Sequence, residues 1–352
     1  MTSWQALLLF SVAASAISSS TPETGGMRNL RPAQLPLKGS VPDSGISVMT
    51  YNVQGLPWPL AARRNEAFGR IEKRLMRLRN GGAHPHVVVL QEAFTDRSRE
   101  IGANAGYRYV VDGPDRDQGG DQPRSATDTS FADAASFAKG ETIGKWMDSG
   151  LQVLSDYPVL SVRRAAFPTF ACAGYDCLAN KGVLMVTLEV PGQSVPVTIV
   201  TTHMNSKKSS GVPEARSRFA YERQAEALAR FVRENHDTRT PIVFAGDFNA
   251  SNVQRRRILA GDVAVSSPAG TRVGLKSALQ TVAARVEHWP DKLHEDVAYI
   301  SRRGRDWQFF ASGTRAAIAP QRIGIPFGRE PDGSMLSDHM GLVISYRLNA
   351  KA

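Results

Sequence analysis

Residues 242–251 read IVFAGDFNAS, an apolar run that ends abruptly on acid and amide. The run Ile242 to Ala245 has the composition of a strand buried on both faces, and Asp247 stands where that strand should end. An aspartate is almost never fully buried without a partner, so a strand that runs straight into one marks an edge with work to do. Asp247 and Asn249 are two apart, which points both side chains to one face of an extended backbone. Working outward, the same layout recurs four times: MTYN at 49–52, LQEAF at 90–94, TTHMNS at 201–206 and LSDHMG at 336–341. Val87 to Leu90 and Val197 to Val200 read as buried strands feeding two of these clusters. Strand termini are where open sheets build their active sites. Asn52, Glu92, His203, Asp247, Asn249, Asp338 and His339 together offer oxygen ligands for a hard cation and two imidazoles that handle protons or phosphate oxygens. The chemistry this points to is metal-assisted cleavage of a phosphate ester.

Between these clusters the chain repeats itself in outline. A strand ending in Asn52, a helix carrying Phe68, Ile71, Leu75 and Leu78 at helical spacing, and a strand ending at Glu92 make the first unit. A strand ending at His203, a helix over about 214–234 opened by Pro213, and a strand ending at Asp247 make the second. Leu151 to Leu154, Val183 to Val190, Val297 to Ile300 and Leu342 to Tyr346 are further strand candidates. Two sheets packed face to face with helices outside would bury both units and bring their strand ends together. The polar stretch from Gly113 to Ser149 reads as a long surface excursion, of the length that tends to be functional.

No composition break divides the 352 residues after position 45, so one large domain is expected. Trp4 to Ile17 is apolar with Ala14-Ser15-Ala16 as a cleavage site, which predicts a secretory signal over 1–18 and a secreted or periplasmic protein. Residues 19–45, rich in Ser, Pro and Gly, read as a linker. The rest holds no apolar run long enough to span a bilayer. Cys172 and Cys177 are either a small clasping disulfide or two free thiols. The net charge of +10 draws polyanions, nucleic acid or anionic headgroups, without choosing between them.

MTYN, LQEAF, TTHMNS, GDFN and SDH, in this order over residues 46–348, resemble the endonuclease/exonuclease/phosphatase superfamily, also called deoxyribonuclease I-like. The resemblance implies an α/β fold, a four-layer α/β/β/α sandwich with two packed mixed sheets. CAGYDCLANKG at 172–182 further resembles a segment of the neutral sphingomyelinases, whose loop receives the substrate headgroup; Asp176 and Lys181 match its acid and its lysine. By the same resemblance Glu92 is the principal ligand of Mg2+ (Mn2+ or Co2+ as substitutes), with Asn52, Asp247 and Asp338 contributing to the metal. His203 contacts the scissile phosphate, Asp247 positions water, and Asn249, Asn52 and Asn205 meet the substrate. His339 is the general base, and Asp296 in HEDVAYI is the nearest candidate for the late-strand carboxylate that orients it, with Glu295 as the other. Mg2+ suits such a set better than zinc, because no Cys or multiple-His cage is present at sensible spacing.

The function implied is a secreted phosphodiesterase cleaving sphingomyelin or a related phospholipid, meeting headgroups at a membrane surface and working as a monomer. The alternatives are an exported nuclease with the same centre, acting on nucleic acid, and a non-catalytic binding module, against which the intact polar set speaks. LPWPLA at 56–61 and IGIPF at 323–327 raise a further expectation, that Trp58 and Phe327 dip into lipid; the bland alternative is that they pack on the domain.

Overall fold

The computed structural model describes residues 27–29, 45–57, 60–262, 264–266 and 272–351. The expected signal segment, most of the linker and Trp58 lie outside the described residues. Among the described residues the strands are β1 (Met27–Asn29), β2 (Gly45–Asn52), β3 (Val87–Gln91), β4 (Tyr109–Asp112), β5 (Gln152–Ser155), β6 (Val159–Ala166), β7 (Gly182–Leu188), β8 (Val197–Thr202), β9 (Ile242–Asp247), β10 (Ala264–Ser266), β11 (Arg272–Gly274), β12 (Lys276–Ser277), β13 (Asp306–Ala311), β14 (Ala316–Phe327) and β15 (Gly341–Ala350). The helices are α1 (Arg64–Asn80), α2 (Asp96–Arg99), α3 (Ile101–Asn104), α4 (Ala126–Asp133), α5 (Glu214–Asn235), α6 (Val253–Asp262), α7 (Ala278–Ala283) and α8 (Asp291–Arg303).

Two mixed sheets carry the fold, ordered β1-β4-β5-β3-β2-β15-β14 and β12-β13-β9-β8-β7-β6. In each, the strands joined across a long helix are parallel neighbours, β2 with β3 and β8 with β9, while the flanking pairs are antiparallel. The period of two decides what fills each layer. Val48, Val87, Val89 and Val153 face Leu184, Val186, Ile199 and Val243 of the other sheet and form the central core. The alternate residues Met49, Tyr51, Val88 and Leu90 face outward onto Phe68, Ile71 and Leu75 of α1. On the opposite outer side Val183, Met185, Val200 and Phe244 meet Tyr221, Ala225 and Leu228 of α5. Three apolar layers therefore separate four structural ones, the α/β/β/α sandwich that was expected.

Three expectations give way. Val297 to Ile300 is not a strand but part of α8, because Leu293, Val297 and Ile300 recur at helical spacing behind Pro290 and pack on the central core. Met27–Asn29 adds an edge strand where only linker was expected. Phe327 does not reach outward: it is 1% exposed and stacks on Tyr51 at a centroid separation of 4.9 Å. No described helix is long and apolar enough to cross a membrane.

At the end of the sandwich away from those strand termini, His86 accepts from the Ser47 backbone N–H through Nδ1 at 3.1 Å and stacks on Tyr157. Burial, with the neighbouring His84 next in weight, lowers its pKa to about 4. The unfolded chain then binds the extra proton below about 6.5 while the folded one resists it. The stabilisation is full above pH 6.5 and fades as pH falls toward 4, by up to about 2–3 kcal/mol. Urea unfolding of His86→Asn and native protein at pH 7 and pH 4.5 should show the native advantage shrinking at the lower pH; an advantage independent of pH would contradict this.

Candidate active site

Four strand ends meet at one edge of the seam between the sheets. Glu92 follows β3 directly and turns the chain back with φ 57°, a conformation uncommon outside glycine. The turn is possible because Gly55 and Gly150 crowd against it: a Cβ on Gly55 would lie 2.2 Å from the Glu92 carbonyl oxygen, and one on Gly150 would strike the Phe94 ring at 2.6 Å. Asn52, at the end of β2, is buried and donates from Nδ2 to Glu92 Oε1 at 2.8 Å and to Asp247 Oδ2 at 3.2 Å. Its Oδ1 accepts from the Gln54 N–H at 2.9 Å. As placed, Asn52 is a bridge between two carboxylates and turns its oxygen away from the metal role expected of it.

The second sheet supplies the rest. Asp247 ends β9, 1% exposed, with Oδ2 3.6 Å from His203 Nε2 and 3.8 Å from His339 Nε2. Burial works against its ionisation, but the two histidines and the Asn249 N–H at 3.0 Å hold its pKa below the ordinary carboxylate value. Asn249 has φ 47° and donates from Nδ2 to the Met204 carbonyl at 3.0 Å, which fixes its amide beside the cluster. Glu92 behaves oppositely: burial raises its pKa against the Asn52 hydrogen bond.

His203 follows β8, which runs parallel beside β9, and forms a bridge with Asp247. Lys181 Nζ lies 3.3 Å from His203 Nε2, 3.3 Å from the Met204 carbonyl and 2.5 Å from Asp176 Oδ1. An ammonium only donates, so Nε2 accepts and the His203 proton sits on Nδ1, which is buried without a partner. Burial, reinforced by the Lys181 charge, drives the His203 pKa down to about 3, so the ring is neutral. Asp176 also accepts from the Ser206 N–H at 2.6 Å. It belongs to the 172–177 loop, whose two cysteines are bonded, which resolves the open alternative in favour of the clasp.

His339, 4% exposed, is held through Nδ1 by both oxygens of Asp306, at 2.8 Å and 3.0 Å. Asp306 opens β13 directly opposite Asp247 of β9. This corrects the assignment of Asp296 (and of Glu295 as its substitute), which lie on α8; Asp296 touches Gly328 there, and burial raises its pKa. The sequence signal for Asp306 is its place at the head of DWQFFA, where it immediately precedes an aromatic, Trp307. Burial by itself would depress the His339 pKa, but Asp306 and then Asp247 overcome it and lift it to about 9. Arg305 Nη1, 3.2 Å from His339 Nε2, pulls the other way, because a guanidinium fits a neutral ring better. Two buried carboxylates outweigh one guanidinium that is shared with Asp338 at 3.5 Å, so the imidazolium is the resting form.

Two further expectations are not met. Asp338 is 47% exposed at the side chain and faces Arg303 at 3.7 Å and Arg305 at 3.5 Å; its Oδ2 lies 3.8 Å from His339 Nε2, so it stands beside that histidine at the rim and not with Glu92 and Asp247 at the metal position expected of it. Asn205 is fully buried, out of reach of a substrate: its Oδ1 accepts from the Ala173 N–H at 2.9 Å and its Nδ2 donates to Ser206 O at 3.0 Å, which anchors the disulfide loop. Arg255 is 1% exposed; it donates to Asn205 O at 2.5 Å and Asn249 O at 3.2 Å and lies over the Tyr221 ring. No sequence signal separates it from its neighbours Arg256 and Arg257.

Asp247, Asp306 and His339 bring ligand atoms within 4.8 Å of one another, but the last two are already committed to their mutual hydrogen bond. The pair better suited to a hard cation is Glu92 with Asp247, two carboxylates that converge on a single amide. These are oxygen donors with no thiolate nearby, and a divalent charge between them would favour the ionised form of both.

The Endonuclease/Exonuclease/phosphatase family model matches residues 49–339. No curated protein matches the sequence significantly. Among solved structures, sphingomyelinase C from Streptomyces griseocarneus superposes with a TM-score of 0.55 at 20% identity, covering 86% of this chain and 99% of that one. Beta toxin from Staphylococcus aureus with bound magnesium ions gives 0.54 at 16%, covering 86% and 99%. D. rerio TDP2 complexed with single strand DNA product gives 0.55 at 16%, covering 87% and 100%. At such identities the likeness speaks for the fold alone. The family match spans nearly all of the sandwich and includes the four strand ends just described, so the chain belongs to the Endonuclease/Exonuclease/phosphatase family, whose members are metal-dependent phosphoesterases.

Proposed function

We propose that this protein is an exported, Mg2+-dependent phosphodiesterase of the neutral sphingomyelinase type, which hydrolyses sphingomyelin or a related phospholipid to a phosphorylated headgroup and a lipid alcohol. The observation that carries this reading is the Asp176–Lys181 pair. A buried ammonium, bonded at 2.5 Å to a carboxylate on a disulfide-closed loop, sits 3.3 Å from the histidine that faces Asp247. That places a fixed positive charge, on a loop of its own, beside the site where a phosphodiester would lie.

Glu92 and Asp247 would hold the cation, which withdraws charge from the non-bridging phosphate oxygens and favours ionisation of water. Asn249 receives a phosphate oxygen from the side of the second sheet, and the Lys181 ammonium, its hydrogens already given to Asp176, His203 and the Met204 carbonyl, adds its positive charge beside it. Asp247, ionised and facing both histidines, orients the attacking water. Asp306 occupies His339 Nδ1, so Nε2 is the atom that exchanges a proton at the reacting centre. As the water oxygen bonds to phosphorus and the bond to the alcohol oxygen breaks, the water's proton passes to the ionised Asp247 and the His339 imidazolium gives its Nε2 proton to the departing alkoxide; proton transfer from Asp247 back to His339 Nε2, 3.8 Å away, restores the site. The net charge of +10, which draws any polyanion, is shared by a second reading, hydrolysis of a nucleic acid by the same centre.

Purified protein given sphingomyelin vesicles and plasmid DNA, with Mg2+ or with a chelator, decides between the two. Metal-dependent release of phosphorylated headgroup is expected; plasmid cleavage without lipid turnover would replace the lipid reading with the nucleic acid one. Asp306→Asn should lower kcat about 10²–10⁴-fold, whereas Asp296→Asn should leave kcat within a few fold. Equal losses would place the orienting carboxylate wrongly. Replacing Lys181 by Met together with Asp176→Asn, which removes a charge pair and leaves no lone buried charge, should reduce lipid turnover more than tenfold with the fold retained by circular dichroism; unchanged lipid turnover would remove the observation on which the proposal stands.

A further inference from the structure

Among the described residues three aromatic side chains are strongly exposed, and all three lie in one place: Phe137 at 75%, Trp146 at 64% and Tyr175 at 49%. Ile143, 37% exposed, belongs to the same segment. Phe137 to Trp146 comes from the excursion between β4 and β5, and Tyr175 from the disulfide loop. The two segments are stitched together. Glu141 accepts from the Gly174 N–H at 2.7 Å and the Arg216 guanidinium at 2.6 Å, the Trp146 N–H donates to Leu178 O at 2.8 Å, and Met147 forms a bridge with Ala179. Lys139 Nζ stands 5.7 Å from the Tyr175 ring, and the turn carrying Lys208 and Gly211 packs against that ring's edge.

The charge of this shelf is one-sided. Lys139 and Lys208 border it, and neither forms an ion pair among the described residues, while Lys145 turns its Nζ inward to within 3.7 Å of Cys172 Sγ. Its acids are already neutralised: Glu141 is buried on Arg216, and Asp176 is held by Lys181. Tyr175 is the immediate neighbour of Asp176, so the shelf is continuous with the wall that places Lys181 beside His203.

We propose that this shelf is the surface by which the protein adsorbs to a lipid bilayer, its aromatic side chains seated at the interface and its lysines against anionic headgroups. Trp, Tyr and Phe flanked by lysines match the interfacial zone, where an amphipathic ring has one face in the acyl boundary and the cations meet phosphate. A second protein would be matched as well by apolar area, but not by unpaired cations bordering it. Adsorption in this pose turns the Asp176–Lys181 wall toward the headgroup layer. The inference deepens the lipid reading above and rests on it for its purpose, but adsorption is measured without turnover.

The test is co-sedimentation of the full chain, in chelator, with vesicles of phosphatidylcholine alone or mixed with phosphatidylglycerol. Phe137→Ser combined with Trp146→Ser should reduce partitioning to both vesicles by about tenfold or more, with the thermal midpoint unchanged. Lys139→Glu combined with Lys208→Glu should abolish only the gain that phosphatidylglycerol brings. Native protein that fails to sediment with either vesicle, or the aromatic variant sedimenting like native, overturns the proposal. So does a native dimer in ultracentrifugation that the aromatic substitutions convert to monomer. Protein that adsorbs through these residues yet leaves sphingomyelin intact and cuts DNA would sink the lipid substrate while the adsorption surface stands.

Discussion

Three carboxylates, Glu92, Asp247 and Asp306, are brought out of water within one small cluster, and the rest of the site is arranged around making that tolerable. Like charges at this depth repel strongly and each loses its hydration. The chain answers with the Asn52 amide shared between Glu92 and Asp247, with His339 held on Asp306, and with Lys181 one step behind His203. The compensation is incomplete, as the raised pKa of Glu92 and Asp306 through burial shows. A cluster left short of positive charge has affinity for a cation built into it, which is the physical basis of the metal-dependent chemistry of the family.

The backbone carries its own part of this load. Glu92 and Asn249 both sit at positive φ, which costs about 1–3 kcal/mol each for a residue with a Cβ. Both follow strands whose ends are pinned in the sheet, and both place their side chains toward the seam. Gly246, where a Cβ would come within 2.4 Å of the Thr202 carbonyl, allows β8 and β9 to close up so that His203 and Asp247 can pair. Behind them Arg255 ties the loops after β8 and β9 together from within, through the carbonyls of Asn205 and Asn249. Strain of this kind persists only where surrounding structure over-determines it.

The loop of residues 172–178 joins two regions. Inward, Asp176 orients Lys181 and the Ser206 N–H; outward, Tyr175 belongs to the aromatic and cationic shelf. The disulfide closes the loop on itself and the Asn205 amide fixes its start at the Ala173 N–H, which holds Tyr175 and Asp176 in one short, tied segment.

What the sequence determined by itself was local and periodic. Apolar strands ending on Asn52, Glu92, His203 and Asp247, two helices at 3.6-residue spacing and the paired layout of the halves are all properties of neighbours along the chain, and the sheets kept them. Tertiary structure decided everything that depends on which residues meet across the seam. Asp306 reaches His339 because β13 pairs with β9 in one particular register, and Asp296 is carried away because a short apolar run, equally compatible with strand and helix, coils behind Pro290. Asn205 looked like a ligand in its motif but spans two loops, and Phe327 looked exposed in its loop but fills the space beside Tyr51. The shelf of Phe137, Trp146 and Tyr175 was invisible for the same reason: its members come from segments distant in sequence, and exposure is a property of what packs around a side chain, not of the residues beside it.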